Sequence, residues 1–108
     1  ADEAARWTAA VQRVAAWARR RDEGLALSLQ GADAHGARLE VRVGQACYDV
    51  TARDDGGGPC LVRAGRVALA HDPATPVARE HVPFLNLLAR ALDKVLVEAG
   101  QGTGRDRA

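Results

Sequence analysis

Apolar positions recur at helical spacing over residues 2–22. Trp7, Val11, Val14 and Ala18 form one stripe, which Ala10 and Trp17 widen. Asp2 and Glu3 sit at the positive end of the helix dipole, Arg19, Arg20 and Arg21 at the negative end, and Gly24 supplies a stop. Strict alternation follows. Leu25, Leu27 and Leu29 share one strand face, and Leu39, Val41 and Val43 share another after a polar turn at 31–36. Gly44-Gln45 fits a two-residue II′ hairpin loop. That loop pairs Val43 with Ala46, Val41 with Tyr48 and Leu39 with Val50, so the apolar residues of both strands meet on one face.

After a flexible connection at 54–59, a second hairpin is expected around Ala64-Gly65. It would pair Arg63 with Arg66, Val62 with Val67 and Cys60 with Leu69. Residues 71–82 carry His71-Asp72-Pro73 and Thr75-Pro76 and read as a loop or a short helical turn. Pro83 then suits the start of a second helix over 83–99. Phe84, Leu88, Ala91, Leu92 and Val95 form its stripe, flanked by Leu85, Leu87 and Leu96, and Gly100 closes it. The expected fold is α+β: an N-terminal helix, a five-stranded antiparallel meander sheet and a C-terminal helix, with both helices on one sheet face. Residues 1–100 form a single domain, and the polar, Gly-bearing stretch 101–108 reads as a disordered tail.

The length of 108 residues agrees with one core. A formal net charge of +1 supplies no whole-molecule field to steer nucleic acid or an anionic membrane. No apolar run reaches the ~20 residues of a membrane span. No signal-peptide pattern opens the sequence. Two cysteines, Cys47 and Cys60, are too few for a disulfide framework or a cysteine cage for zinc, so a cytoplasmic setting is expected. Of 15 basic residues only Lys94 is a lysine.

The hairpin registers put Cys47 outward beside Arg42 and Cys60 inward as a small core residue, which separates the two thiols. A neighbouring cation lowers a thiol pKa, so Cys47 is the candidate for thiol chemistry. His71-Asp72 and Glu80-His81 would make a metal site only if the intervening loop folds back, and their spacing matches no common ligand pattern. Ser28, the only serine, lies mid-strand rather than on a nucleophile elbow. Gly56-Gly57-Gly58 lacks the Lys-Ser/Thr of a phosphate loop. No catalytic residue, metal or cofactor is assigned.

Two surfaces remain for a partner. The outer sheet face would present Ser28, Gln30, Arg38, Glu40, Arg42, Cys47, Asp49, Thr51, Arg63 and Arg66, a polar platform with arginine anchors. The C-terminal helix carries an apolar arc including Leu85, Leu87 and Leu96, wide enough to meet a second copy or a partner as well as the sheet. A deeper seat in the core explains the same arc. The expected function is a non-catalytic protein-interaction module: an accessory subunit, assembly factor or chaperone-like domain, with a homodimer as one form of it. The alternatives are a nucleic-acid-binding domain using Arg19–Arg21 and the sheet arginines, and a small metal- or thiol-dependent enzyme. Aromatics for base stacking are missing from the outer face, because Trp7, Tyr48 and Phe84 fall on predicted core faces.

The helix–meander–helix order resembles the frataxin architecture in element order only. That family has an acidic first helix and a Trp-bearing sheet, whereas here the first helix ends in Arg19-Arg20-Arg21 and holds both Trp residues. Iron delivery is therefore not implied. Small type III secretion chaperones are similar in mixing helices with an antiparallel sheet. They carry a mid-sheet helix where this chain has only the 54–59 linker, and they are acidic.

Overall fold

A computed structural model describes residues 3–22, 24–54, 60–71 and 74–107, of which 100–107 are described as backbone only. The elements are α1 (Glu3–Arg21), β1 (Leu25–Asp33), β2 (Gly36–Val43), β3 (Ala46–Arg53), β4 (Val62–Ala64), β5 (Val67–His71) and α2 (Val82–Arg107), with a 3₁₀ turn at Arg79–His81 leading into α2. The class is as the sequence predicts: helix, five-stranded antiparallel sheet, helix. α1 packs on β1 and β2, α2 packs on β4 and β5, and the helices touch each other. No helix among the described residues is long and apolar enough to cross a membrane.

The first three strands pair in the expected register, with Val43 opposite Ala46, Val41 opposite Tyr48 and Leu39 opposite Val50. Gly44 has φ +62° at the first loop position, and Gln45 keeps a negative φ, as a II′ turn requires. β1 pairs with β2 through Leu25–Val43, Leu27–Val41 and Leu29–Leu39, then bulges at Gln30. Trp7, Val11, Val14 and Ala18 of α1 are buried against this face, as their spacing predicts. Full burial of each Val or Leu contributes roughly 1.5–3 kcal/mol.

The sheet is not a sequential meander. Its order is β1-β2-β3-β5-β4, so β5 lies beside β3 and β4 takes the edge. The reason is visible in the two strands. Val67, Ala68 and Leu69 are all buried, and such a continuous apolar run suits an interior strand. β4 has three residues and exposes Arg63, which suits an edge.

The second hairpin is also shifted. Val62 pairs with Leu69 and Ala64 with Val67, so the loop is Gly65-Arg66 rather than Ala64-Gly65. The shift keeps Val62, Val67 and Leu69 facing inward. It moves Arg66 off the sheet into the turn and leaves Cys60 before β4, half-buried and outside the core. Leu61 packs against the core instead.

α2 seats through Leu85, Leu88, Ala89, Leu92 and Leu96, all buried. Phe84, Leu87, Ala91 and Val95 are partly buried at its flank. The buried face is thus rotated from the predicted stripe towards Leu85, Ala89 and Leu96. The backbone stays helical past Gly100 to Arg107, because Gly100 adopts helical geometry there instead of turning out of the helix. The expected tail residue Ala108 lies outside the described residues.

Candidate functional site

The pleat of β2 and β3 sends alternate residues away from the helices. On that outer face Arg42 lies opposite Cys47, Glu40 opposite Asp49 and Arg38 opposite Thr51. β1 adds Ser28 opposite Glu40, with Gln30 exposed at the bulge. Arg53 continues the row on β3 and pairs with Ala68, which in turn pairs with Arg63 on β4. The predicted residues Arg38, Glu40, Arg42, Cys47, Asp49 and Arg63 therefore do share one face. Arg53 belongs with them and was missed, although its parity with Cys47, Asp49 and Thr51 places it there.

Arg66 does not belong. Its side chain reaches Asp54 at 3.3 Å, and its backbone N–H donates to Asp93 Oδ1 of α2 at 2.8 Å. Asp54 also lies 3.9 Å from Arg6 of α1, whose guanidinium donates to the carbonyl of Leu96 at 3.3 Å. This group ties α1, the end of β3, the β4–β5 turn and α2 together.

The outer face is concave. A depression of about 610 Å³ is lined by Gln30, Arg38, Asp49, Thr51, Arg53 and Ala70. It runs on past Arg38, Thr51 and Arg53 into a second of about 420 Å³ beside Asp33 and His35. Small residues make the hollow: a Cβ at Gly31 would lie 3.3 Å from the Arg38 guanidinium, so Gly31 lets that side chain lie across β1. Arg38, Arg42, Arg53 and Arg63 form no ion pair among the described residues.

The chemistry at Cys47 runs against the expected activation. Its pKa is raised, first by partial desolvation, then by a hydrogen bond to Glu40 and the charge of Glu40. The lowering pull of Arg42 is outweighed. Cys47 and Cys60 are both free.

The histidines do not gather. His35 is exposed in the β1–β2 turn, His71 ends β5 opposite Val50, and His81 Nδ1 lies 2.6 Å from the hydroxyl of Tyr48. That hydroxyl also accepts from the N–H of Ala78 at 3.3 Å, so Tyr48 and His81 fasten the segment before α2 to the sheet. Asp72 of the considered metal site lies outside the described residues. Among the described residues no three His, Cys, Asp or Glu side chains come together as a metal site.

The helix surface is reduced. Leu85 and Leu96 are 0% and 2% exposed within this chain's own core, so neither is available to a partner. Most of the wide arc of α2, namely Leu85, Leu88, Ala89, Leu92 and Leu96, is buried within the chain's own core. Leu87 alone of the three stays half-buried, in a groove between α1 and α2 that also holds Trp17. Arg19, Arg20 and Arg21 lie at the end of α1 in the helix layer, on the opposite side of the sheet from the outer arginines.

Fold and surface together define an α+β domain with a polar, arginine-bearing outer sheet face. Comparison with known protein families, with curated proteins and with solved structures finds no match.

Proposed function

We propose that this chain is a non-catalytic protein-interaction module, an accessory subunit, assembly factor or chaperone-like domain, that docks an acidic partner surface on its outer sheet face in a reducing, cytoplasmic setting. The observation that carries the reading is the set of four outer-face arginines, Arg38, Arg42, Arg53 and Arg63, without an ion pair among the described residues. Arginine presents a rigid fork of donors suited to carboxylates, and it is enriched among the residues that dominate binding. The hollow over Thr51 and Ala70 gives a partner side chain a place to enter.

The other readings have less support. A nucleic-acid platform wants aromatic stacking surfaces. Tyr48 faces the core here, and Trp7, Trp17 and Phe84 belong to the helix layer. A thiol enzyme wants a lowered pKa, and that of Cys47 is raised.

The test is charge reversal. Arg38→Glu with Arg42→Glu changes exposed groups only, so thermal stability should move by about 0.5 kcal/mol or less per site. Capture of the partner isolated with the wild-type chain should weaken at least about tenfold. Unchanged capture by the folded double variant overturns the proposal.

A further inference from the structure

The helix layer holds a second surface, separate from the outer sheet face. α1 and α2 leave a groove of about 630 Å³ on the side away from the sheet. Its floor is apolar: Trp17 from α1, with Leu87, Ala91 and Val95 from α2, all half-buried. Arg20, Arg90 and Lys94 stand exposed on its rim, and none of them has an ion pair among the described residues. Arg13 and Glu98 meet at 4.0 Å across one end. The guanidinium of Arg21 lies 5.5 Å from the Trp17 ring, which gives that indole a cationic neighbour.

We infer that this groove binds an acidic amphipathic helix of a partner protein. Three features select that occupant. The first is shape. The stretch from Leu87 to Glu98 is about 16 Å long at about 1.5 Å per residue, enough for about three turns of a docked helix. A floor that is only half-buried covers one side of a ligand, whereas a small-molecule pocket encloses most of it. The second is charge. Three unpaired cations beside an apolar strip complement a helix with Leu-type anchors at i, i+3, i+4 and i+7 and carboxylates along both flanks.

The third is what the same features disfavour. A two-fold contact between copies would bring the cationic rims of both grooves, Arg20, Arg90 and Lys94, into one interface. Insertion into a bilayer needs protruding apolar side chains, and no large hydrophobic residue among those described is exposed.

The two tryptophans provide the readout. Trp7 is 0% exposed, so Trp17 is the indole that reports on the groove. A phage-displayed library of helical peptides, about 15 residues long, is selected on the immobilised chain. Enriched sequences should combine an i, i+3, i+4, i+7 apolar stripe with net negative charge. The best peptide should blue-shift Trp17 emission and bind at least about tenfold more weakly to Arg90→Glu with Lys94→Glu. Its binding should be untouched by Arg38→Glu with Arg42→Glu, which separates this result from the fate of the sheet face.

Enrichment without acidic bias overturns the inference. So does equal binding by the folded Arg90→Glu, Lys94→Glu variant. A Trp17 shift with phosphatidylserine vesicles but with no selected peptide overturns it in favour of a membrane surface. A dimer by light scattering that Leu87→Glu dissociates overturns it in favour of a second copy.

Discussion

Asp93 reaches from α2 to the turn between β4 and β5, where its carboxylate accepts the Arg66 N–H and occupies the space a side chain at Gly65 would need. Gly65 has φ +56°, and an added Cβ would collide with that carboxylate. Gly65→Ala should therefore cost about 1–3 kcal/mol, from left-handed strain and steric clash together. Removing the carboxylate relieves the clash but not the strain. In an Asp93→Ala background the same change should cost at least about 0.5 kcal/mol less. Strict additivity in denaturant unfolding would contradict the contact. Cys47 supplies a pH test. Its raised pKa keeps the thiol protonated at neutral pH, so iodoacetamide alkylation should be slow there and rise with a midpoint above that of an ordinary thiol. Glu40→Gln removes the negative charge beside the thiol while keeping an amide oxygen as acceptor, and should move the midpoint down. Arg42→Ala removes the opposing cation and should move it up. Opposite shifts in either variant would refute the assigned causes.

The α2 helix divides its leucines between two roles, and the division is measurable. Leu92 is fully buried, so Leu92→Ala should cost about 2–5 kcal/mol. Leu87 lines the groove half-buried, and Leu87→Ala should cost distinctly less. Equal costs would mean that Leu87 is core. The periodicity of α2 did not reveal this division, because an apolar arc over half a helix does not fix its own centre. The neighbours do, and Leu85 and Leu96 turn inward onto the sheet. The strands were more legible. Alternation and the Gly44 turn placed β2 against β3 residue by residue, and so placed Arg38, Glu40, Arg42, Cys47 and Asp49 on one face. The β4–β5 register is legible in the same way, with its loop one residue on from the expected Ala64-Gly65. Gly65 takes the first loop position with positive φ, as Gly44 does, and the same rule applied there gives the observed pairs. The strand order was less accessible. A short β4 and an apolar β5 hint at edge and interior, but the exchange depends on which strand α2 and β3 bury together. The Tyr48–His81 and Asp93–Arg66 contacts join segments 33 and 27 residues apart, and no local pattern announces them.

Across the whole molecule, 15 basic and 14 acidic residues nearly cancel, yet their placement does not. Among the described residues, cations without an ion pair stand on both broad surfaces: Arg38, Arg42, Arg53 and Arg63 on the outer sheet face, and Arg20, Arg90 and Lys94 on the rim of the helix groove. Partner binding at either should weaken as salt rises, since exposed charges are screened within about 8–10 Å at 0.1–0.15 M ionic strength. Site-specific photo-crosslinking in the native cell tests whether the partner docks on the outer face. A benzophenone side chain at Thr51, in the floor of the outer hollow, is compared with one at Gln12, exposed on α1. If the partner docks on the outer face, Thr51 crosslinks one defined acidic protein, Gln12 does not, and Arg38→Glu with Arg42→Glu abolishes the adduct. Equal labelling from both positions, or an adduct that survives the charge reversal, would contradict docking there.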